Sequence, residues 1–502
     1  MNPIEAYEEL AKRSREIAHL DSAMELAYWD QRTNIPAKGH SHRVRHLAAM
    51  AKMRHRRFTD ARIEELLEAV ENSSLEKDPM SIASANVREW RRLYKRARKI
   101  PEKLATELIR AGAQAEAVWE KACPRNDWTR LKSHLARVVD LKRQECQAIG
   151  FTHEPYDALL EEYEPGETSG SIEALLRTVG PALVQLRQRI CSSQYAYDRA
   201  PIATRIPVSK QEDFATKLAR RLGYSLESGR IDVSSHPFST GLGPGDVRIV
   251  SRFNELDLRE GLFAVAHEIG HAFYVQGLPL DHWGEPVCRV ASLGMDESQA
   301  LMWEFFVARS RGFWDYFHND MQSAFSELGR MSEKDVYIWI NHVNPAALRI
   351  NADEVTYDLH ILLRFEVERA LINGTLEVGD LPDAWSEKSM QYLGHRTPDH
   401  RRGVMQDVHW PSGLFGYFPS YTIGHVYAAQ LYAQAEKELG DLNEQFARGD
   451  FSPLRTWLRE HVHSLGAILS PRELIRNVTG NSVDPHSLIT YLETKYENLF
   501  RG

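Results

Sequence analysis

The sequence predicts a mainly α-helical protein with one small β-sheet, and three observations carry that expectation. Apolar residues recur at helical spacing from Met1 to about Leu222. They alternate with polar ones only between Gly229 and Phe253. Helical spacing then resumes after Asp257 and continues to the C-terminus. The first helix places Ile4, Tyr7, Leu10, Ile17, Leu20, Met24 and Ala27 at helical spacing. Turns between successive helices are expected at Asn34-Ile35-Pro36, Asp78-Pro79, Ile100-Pro101 and from Tyr163 to Gly170, where proline or glycine breaks the period. In the alternating stretch, Ile231 and Val233 lead into a turn marked by Pro237, Gly241, Gly243, Pro244 and Gly245; Val247, Ile249, Ser251 and Phe253 resume the pattern. This reads as a small antiparallel sheet near residues 229–253. Later loops are expected at Gly277 to Glu285 and Thr397 to Pro419. With no linker rich in Gly, Ser or Pro, residues 1–502 read as one domain: a mainly helical N-terminal region (residues 1–228), a segment 229–425 with the chemical motifs, and closing helices 426–502.

Composition excludes several classes. The 502 residues hold 62 Lys+Arg against 70 Asp+Glu, a net charge of -8, which argues against a nucleic-acid binder. Two basic runs, Arg54 to Arg57 and Arg91 to Lys99, read as solvated helix faces because acidic residues are interspersed. The four cysteines show no C-x-x-C spacing, so neither a zinc knuckle nor a disulfide scaffold is expected. No apolar stretch is long enough to span a membrane, and the N-terminus lacks a signal-peptide core. A soluble, cytoplasmic protein is expected.

The chemistry concentrates in His267-Glu268-Ile269-Gly270-His271. Four residues on a helix rotate by about 400°, so the two imidazoles share a face and can chelate one ion. Glu268 projects to the side, placed to hold a water as general base. A catalytic zinc site needs a third protein ligand and an open position. The metzincin pattern is excluded, because its further glycine and histidine positions hold Tyr274 and Gly277. Glu285, Asp296, Glu297 and Glu304 remain as candidates, and Glu297 is favoured because it opens a long apolar helix with Leu301, Met302, Phe305 and Phe306. The blander reading is a carboxylate stabilised by the helix dipole.

Several segments together resemble the carboxypeptidase Taq family of zinc metallocarboxypeptidases. They are Tyr28-Trp29-Asp30, His236-Pro237-Phe238, Asp246-Val-Arg248-Ile-Val250, the H-E-x-x-H, Glu297-Ser298-Gln299, Leu348-Arg349-Ile-Asn-Ala352-Asp353, and Gly403-Val-Met-Gln406-Asp407-Val-His409-Trp410. The resemblance implies His267, His271 and Glu297 as zinc ligands and Glu268 as the acid/base. It also implies a mostly helical, two-lobed fold around a deep groove, a homodimer, and release of single residues from the C-termini of peptides. One Zn2+ per chain is expected, with Co2+ able to replace it. Three positions depart from the family pattern: Asp296 where histidine is usual, Val250 in place of threonine, and Leu348 in place of isoleucine.

On this reading Glu268 activates a zinc-bound water, and Tyr421, Tyr417 and His409 are candidates to donate to the oxyanion. A free carboxylate is best held by arginine. Asn344-Pro345 is expected to cap a helix running to about Asn373, with Arg349, Asp353, Tyr357 and His360 on one polar stripe. That stripe coincides with the family's arginine motif, which makes Arg349 the leading anchor and Arg248 the second. His236, Gln406 and Asp407 complete the expected substrate pocket. Two alternatives stand beside this reading: a gluzincin endopeptidase, oligopeptidase or dipeptidase, and a non-catalytic helical interaction protein with a vestigial metal site.

Overall fold

The computed structural model describes residues 1–192, 204–234, 236–329 and 331–501, and it is predominantly helical with a single three-stranded sheet. Two compact units emerge, each assembled from three separate stretches of chain.

The first unit comprises Met1–Arg98, Pro201–Ile340 and Leu431–Ser482. It opens with the Pro3–Thr33 helix, which starts where the Asn2 side chain accepts from the Ile4 amide and Pro3 occupies the first turn. Ala6, Leu10 and Ala11 pack there against Ile63, Leu66, Leu67, Val70 and Trp90. The basic runs are matched by carboxylates, as Arg54 pairs with Asp21, Arg57 with Glu16, and Arg91 with Glu64 and Glu71. That local neutralisation removes the positive face a polyanion would need.

The sheet comprises β1 (Ile231–Val233), β2 (Phe238–Gly243) and β3 (Asp246–Ser251), in the order β1-β3-β2. It corrects the wholly antiparallel expectation. β2 and β3 do form an antiparallel hairpin, whereas β1 runs parallel to β3, with Ile231 opposite Ile249. Alternation marks a strand and its buried face but is blind to its direction, which the connection sets.

Asp257 caps the Leu258–Gly277 helix by accepting from the Arg259 amide. Leu262, Val265, Ala266, Ile269, Ala272 and Phe273 are all buried, so this helix runs through the core rather than along a surface. Its neighbour, Leu293–Leu301, begins at Ser292, whose hydroxyl accepts from the Met295 amide. The two approach so closely that a Cβ on Gly270 would lie 2.4 Å from the Gln299 carbonyl oxygen and 2.6 Å from Ala300 Cα. Backbone cannot yield as a side chain does. Gly270→Ala is therefore expected to lower stability by about 2–3 kcal/mol in urea unfolding, and an unchanged midpoint would disprove this close approach. Beyond Leu301 the expected regular α-helix gives way to a π-helical turn, Met302–Val307, where the Ala308 amide bonds the Trp303 carbonyl.

The second unit comprises Lys99–Ala200, Asn341–Gln430 and Val483–Gly502. Its Glu102–Ala122 and Trp128–Ile149 helices are joined by a short turn, and Tyr357–Asn373 packs against the latter. The helix expected from Asn344 is corrected here. Regular helix begins only at Tyr357, and Arg349 lies in a single 3-10 turn, Arg349–Asn351. The cause is Asp353, whose carboxylate accepts from the amides of Asn344, Val355 and Thr356 and so starts the helix anew. The long segment after residue 394 is pinned by buried Glu368, which accepts from the Gly416 amide (3.0 Å) and the Tyr156 hydroxyl (2.8 Å). Gly416 has φ +84°, and a Cβ would lie 2.7 Å from the Leu159 carbonyl carbon, so glycine is required at this crossing.

Candidate metal centre

One turn apart on the Leu258–Gly277 helix, His267 and His271 both direct Nε2 at Glu297, at 3.6 and 3.7 Å from its two carboxylate oxygens. One ligand atom from each of the three residues lies within 4.8 Å of the others, the only such His/Cys/Asp/Glu group among the described residues. A tetrahedral ion with bonds of about 2.1 Å needs ligand–ligand edges of roughly 3.4 Å. The two histidine–glutamate edges are within a few tenths of an ångström of that value. Glu297 sits a full turn past the Ser292 cap, so a first-turn dipole role does not account for it.

The outer nitrogens of both imidazoles face further carboxylates, His267 through a hydrogen bond and His271 at ion-pair distance. His271 Nδ1 lies 3.1 Å from Asp296 Oδ2, and His267 Nδ1 lies 3.0 Å from Glu304 Oε2. Such partners fix Nδ1 as the protonated nitrogen and turn the Nε2 lone pair inward. Glu304 is itself held by Arg309 Nη2 at 3.0 Å; the Arg309 guanidinium lies 4.0 Å from the Phe263 ring centroid, and its Nη1 donates to the Ile340 carbonyl. The π-helical turn carries Glu304.

Electrostatics fits a cation site. Burial opposes charge on His271, yet Asp296 and Glu297 push its pKa up to about 10. Against the same burial, Glu297 and the Glu304 hydrogen bond raise His267. Desolvation raises the Glu268 carboxyl, which is only 6% exposed, with Glu297 and Asp296 adding to the shift. Two imidazoles flanked by this many carboxylates form a pocket short of positive charge, and a divalent ion supplies it. Asp296→Asn and Glu304→Gln are each expected to weaken metal affinity by about 10–100-fold in competition with a chromogenic chelator. Wild-type affinity in both variants would refute the orienting role.

A second constellation lies within the other unit. Asp407 sits between two guanidiniums: Oδ1 accepts from Arg349 Nε (3.2 Å) and Nη2 (3.1 Å), and Oδ2 accepts from Arg364. Burial works against ionisation, but Arg364, Arg349 and His409 hold the Asp407 carboxyl well below its usual range. Gln406 Oε1 accepts from the Arg349 amide and from Arg364 Nη2, while its Nε2 donates to the carbonyls of Ala347 and Arg402. The Arg349 guanidinium lies 5.0 Å from the Tyr421 ring centroid. Tyr417 packs 5.2 Å from His409 and 5.6 Å from Tyr421, centroid to centroid.

The residues expected from sequence thus fall into separate groups. His267, Glu268, His271 and Glu297 come together in the first unit, and Arg349, Gln406, Asp407, His409, Tyr417 and Tyr421 in the second. Arg248 is engaged elsewhere in the first unit, binding both Asp246 oxygens at 2.9 and 2.8 Å beneath the Trp29 ring. His236 is exposed, and no hydrogen bond or ion pair joins it to the metal ligands among the described residues. The sequence pattern did not single out Arg364 and Arg309; it offered Glu304 as a ligand, and Asp296 both as a ligand and as a departure from the family pattern. For Arg364 and Glu304 the one signal was charge within an apolar helix.

A family described as carboxypeptidase Taq (M32) metallopeptidase matches residues 9–496. Thermostable carboxypeptidase 1 of Thermus thermophilus is 46% identical over 510 residues, covering 100% of both chains. Carboxypeptidase 1 of Bacillus subtilis is 33% identical, covering 97% of each. A crystal structure described as an M32 carboxypeptidase from Deinococcus radiodurans R1 superposes with a TM-score of 0.94 at 35% identity, covering 99% of this chain and 100% of that one.

Proposed function

Because this chain belongs to the carboxypeptidase Taq (M32) metallopeptidase family and is a metallocarboxypeptidase, we propose that it uses one zinc ion, held by His267, His271 and Glu297, to release single residues from the C-termini of peptides. The observation that supports this most directly is the triangle of two Nε2 atoms and one carboxylate, with each imidazole backed by its own acid. When bound, the ion supplies Lewis acidity that polarises the scissile carbonyl and lowers the pKa of water.

The protein's own residues do the rest. Glu268 accepts the proton of the attacking water and returns it to the departing amine. Asp296 and Glu304 keep the imidazoles oriented. Arg349 binds the terminal carboxylate, since two arginines sharing one aspartate leave a surplus positive charge. Gln406 and Asp407 hold Arg349 in place, because their polar atoms are spent on protein partners. Tyr421, Tyr417 and His409 are the candidate donors to the developing oxyanion. Arg248, which already bonds Asp246, is the second candidate for the terminal carboxylate, and His236 is a further candidate for the substrate pocket.

The family match over nearly the full length favours one catalytic domain spanning residues 1–502. A cytoplasmic location accords with the lack of any disulfide among Cys123, Cys146, Cys191 and Cys288. Among the described residues no helix is long and apolar enough to cross a membrane. The homodimer rests on the family resemblance, and light scattering tests it.

The decisive experiment is mass spectrometry of a mixed peptide pool before and after incubation. Ladders shortened one residue at a time from the C-terminus are expected, abolished by chelation and by C-terminal amidation. Internal cleavage, or undiminished cleavage of amidated peptides, would establish the endopeptidase alternative instead.

A further inference from the structure

The last turn of the metal-bearing helix forms one wall of a cavity of about 590 Å3 that the hydrolytic reading does not use. Gln276 and Gly277 line it from that turn, and the Ser452–His461 helix contributes Arg455 and Arg459. Neither arginine has a carboxylate partner among the described residues. Arg455 Nη1 donates only to the Leu222 carbonyl at 3.1 Å, capping the Val208–Leu222 helix, and its guanidinium lies 5.7 Å from the Phe273 ring centroid. Gly223, at φ +99°, makes this possible, because a Cβ there would lie 1.2 Å from Arg455 Nη1. Arg459 projects from the exposed side of its helix.

Apart from the carboxylate of Glu460, the remaining polar groups are donors or neutral. Gln276 Nε2 is buried with no hydrogen-bond partner, a costly arrangement for an amide donor. His463 is 1% exposed, and its Nε2 lies 2.9 Å from Gln299 Oε1. Burial and then the Arg459 charge push its pKa down to about 3, so it is neutral. Glu460 lies at the exposed rim and bonds neither arginine. The lining therefore carries a net positive charge, and desolvation together with the Arg459 charge already disfavours the Arg455 cation. Two guanidiniums without a counter-ion and an unsatisfied amide donor together mark a place for an anion.

We propose that this cavity binds a small phosphate-bearing molecule, its phosphate oxygens held by Arg455, Arg459 and the Gln276 amide. A phosphate dianion neutralises both cations and has enough oxygens for two guanidiniums and an amide, more than the two of a carboxylate. The volume leaves room for an organic group beside Phe273.

Calorimetric titration of the metal-loaded, full-length protein with phenyl phosphate at low ionic strength tests the site, with benzoate as the carboxylate comparison. Phenyl phosphate is expected to bind with a Kd of about 1 mM or tighter. Binding should weaken about tenfold or more in Arg459→Gln, whose exposed side chain supports no packing, and benzoate should bind at least about tenfold more weakly than phenyl phosphate. Arg455→Gln should weaken it too, but that change also uncaps a helix, so Arg459 is the decisive position. The proposal is overturned by the absence of binding, by unchanged affinity in Arg459→Gln, which would place the anion at the metal, or by equal affinity for benzoate.

Discussion

Glu268→Gln is expected to lower kcat for peptide hydrolysis by about 10³-fold or more while leaving the metal content of the purified protein unchanged. Glutamine keeps the shape and one acceptor oxygen but cannot take a proton. Glu268 lies on the same helix as the two histidine ligands, one residue after His267, and is 6% exposed. In that dry setting no bulk water stands in as base. The comparison with Glu297→Gln separates the two kinds of carboxylate: that variant should lose metal along with activity, and Glu268→Gln only activity. Turnover within tenfold of wild type in metal-loaded Glu268→Gln would remove Glu268 from the proton path and reopen the assignment. The same pair of measurements decides against a vestigial site, since a merely structural metal would leave hydrolysis absent in every form.

What the sequence revealed depended on whether a role follows from spacing. His267 and His271 were legible because a four-residue step fixes their common face. Glu297 emerged by elimination and from the family motif. The orienting role of Glu304 was not legible, and Asp296 stood out only as an added carboxylate near the metal, because spacing assigns faces and not the ring nitrogen that each acid meets. Glu304 further depends on a π-helical turn that apolar periodicity does not reveal. Arg364 looked like one more helical cation between Leu363 and Phe365, and only its pairing with Asp407, 43 residues later, explains a charge that is wholly buried. The misplaced helix start has the same origin. Arg349, Asp353, Tyr357 and His360 do recur at helical spacing, but the Asp353 side chain competes for the amides of Val355 and Thr356 and interrupts the helix there. Likewise the alternation in β1 located the strand without its direction.

Arg349→Gln is expected to lower kcat/KM for peptides with a free C-terminus by about 10²-fold or more, chiefly through KM, because two charge-assisted hydrogen bonds to the carboxylate are lost. Amidated peptides should be affected little, so the preference for a free terminus should largely vanish. That ratio is the informative quantity. A general disturbance of the fold would depress both substrates together, whereas loss of the anchor penalises only the one that carries the charge. The surroundings favour a clean result. In the variant Asp407 keeps both bonds from Arg364 and is not left as an unpaired buried anion. Gln406 accepts from the Arg349 backbone amide rather than from its side chain, so the 3-10 turn keeps that support. Arg349→Lys should recover the charge but not the fork, restoring some of the preference. If Arg349→Gln retained the full preference for free C-termini, the terminal carboxylate would have to be held by a different cation. Arg248, which like Arg349 bonds an aspartate through Nε and Nη2, would be the next candidate.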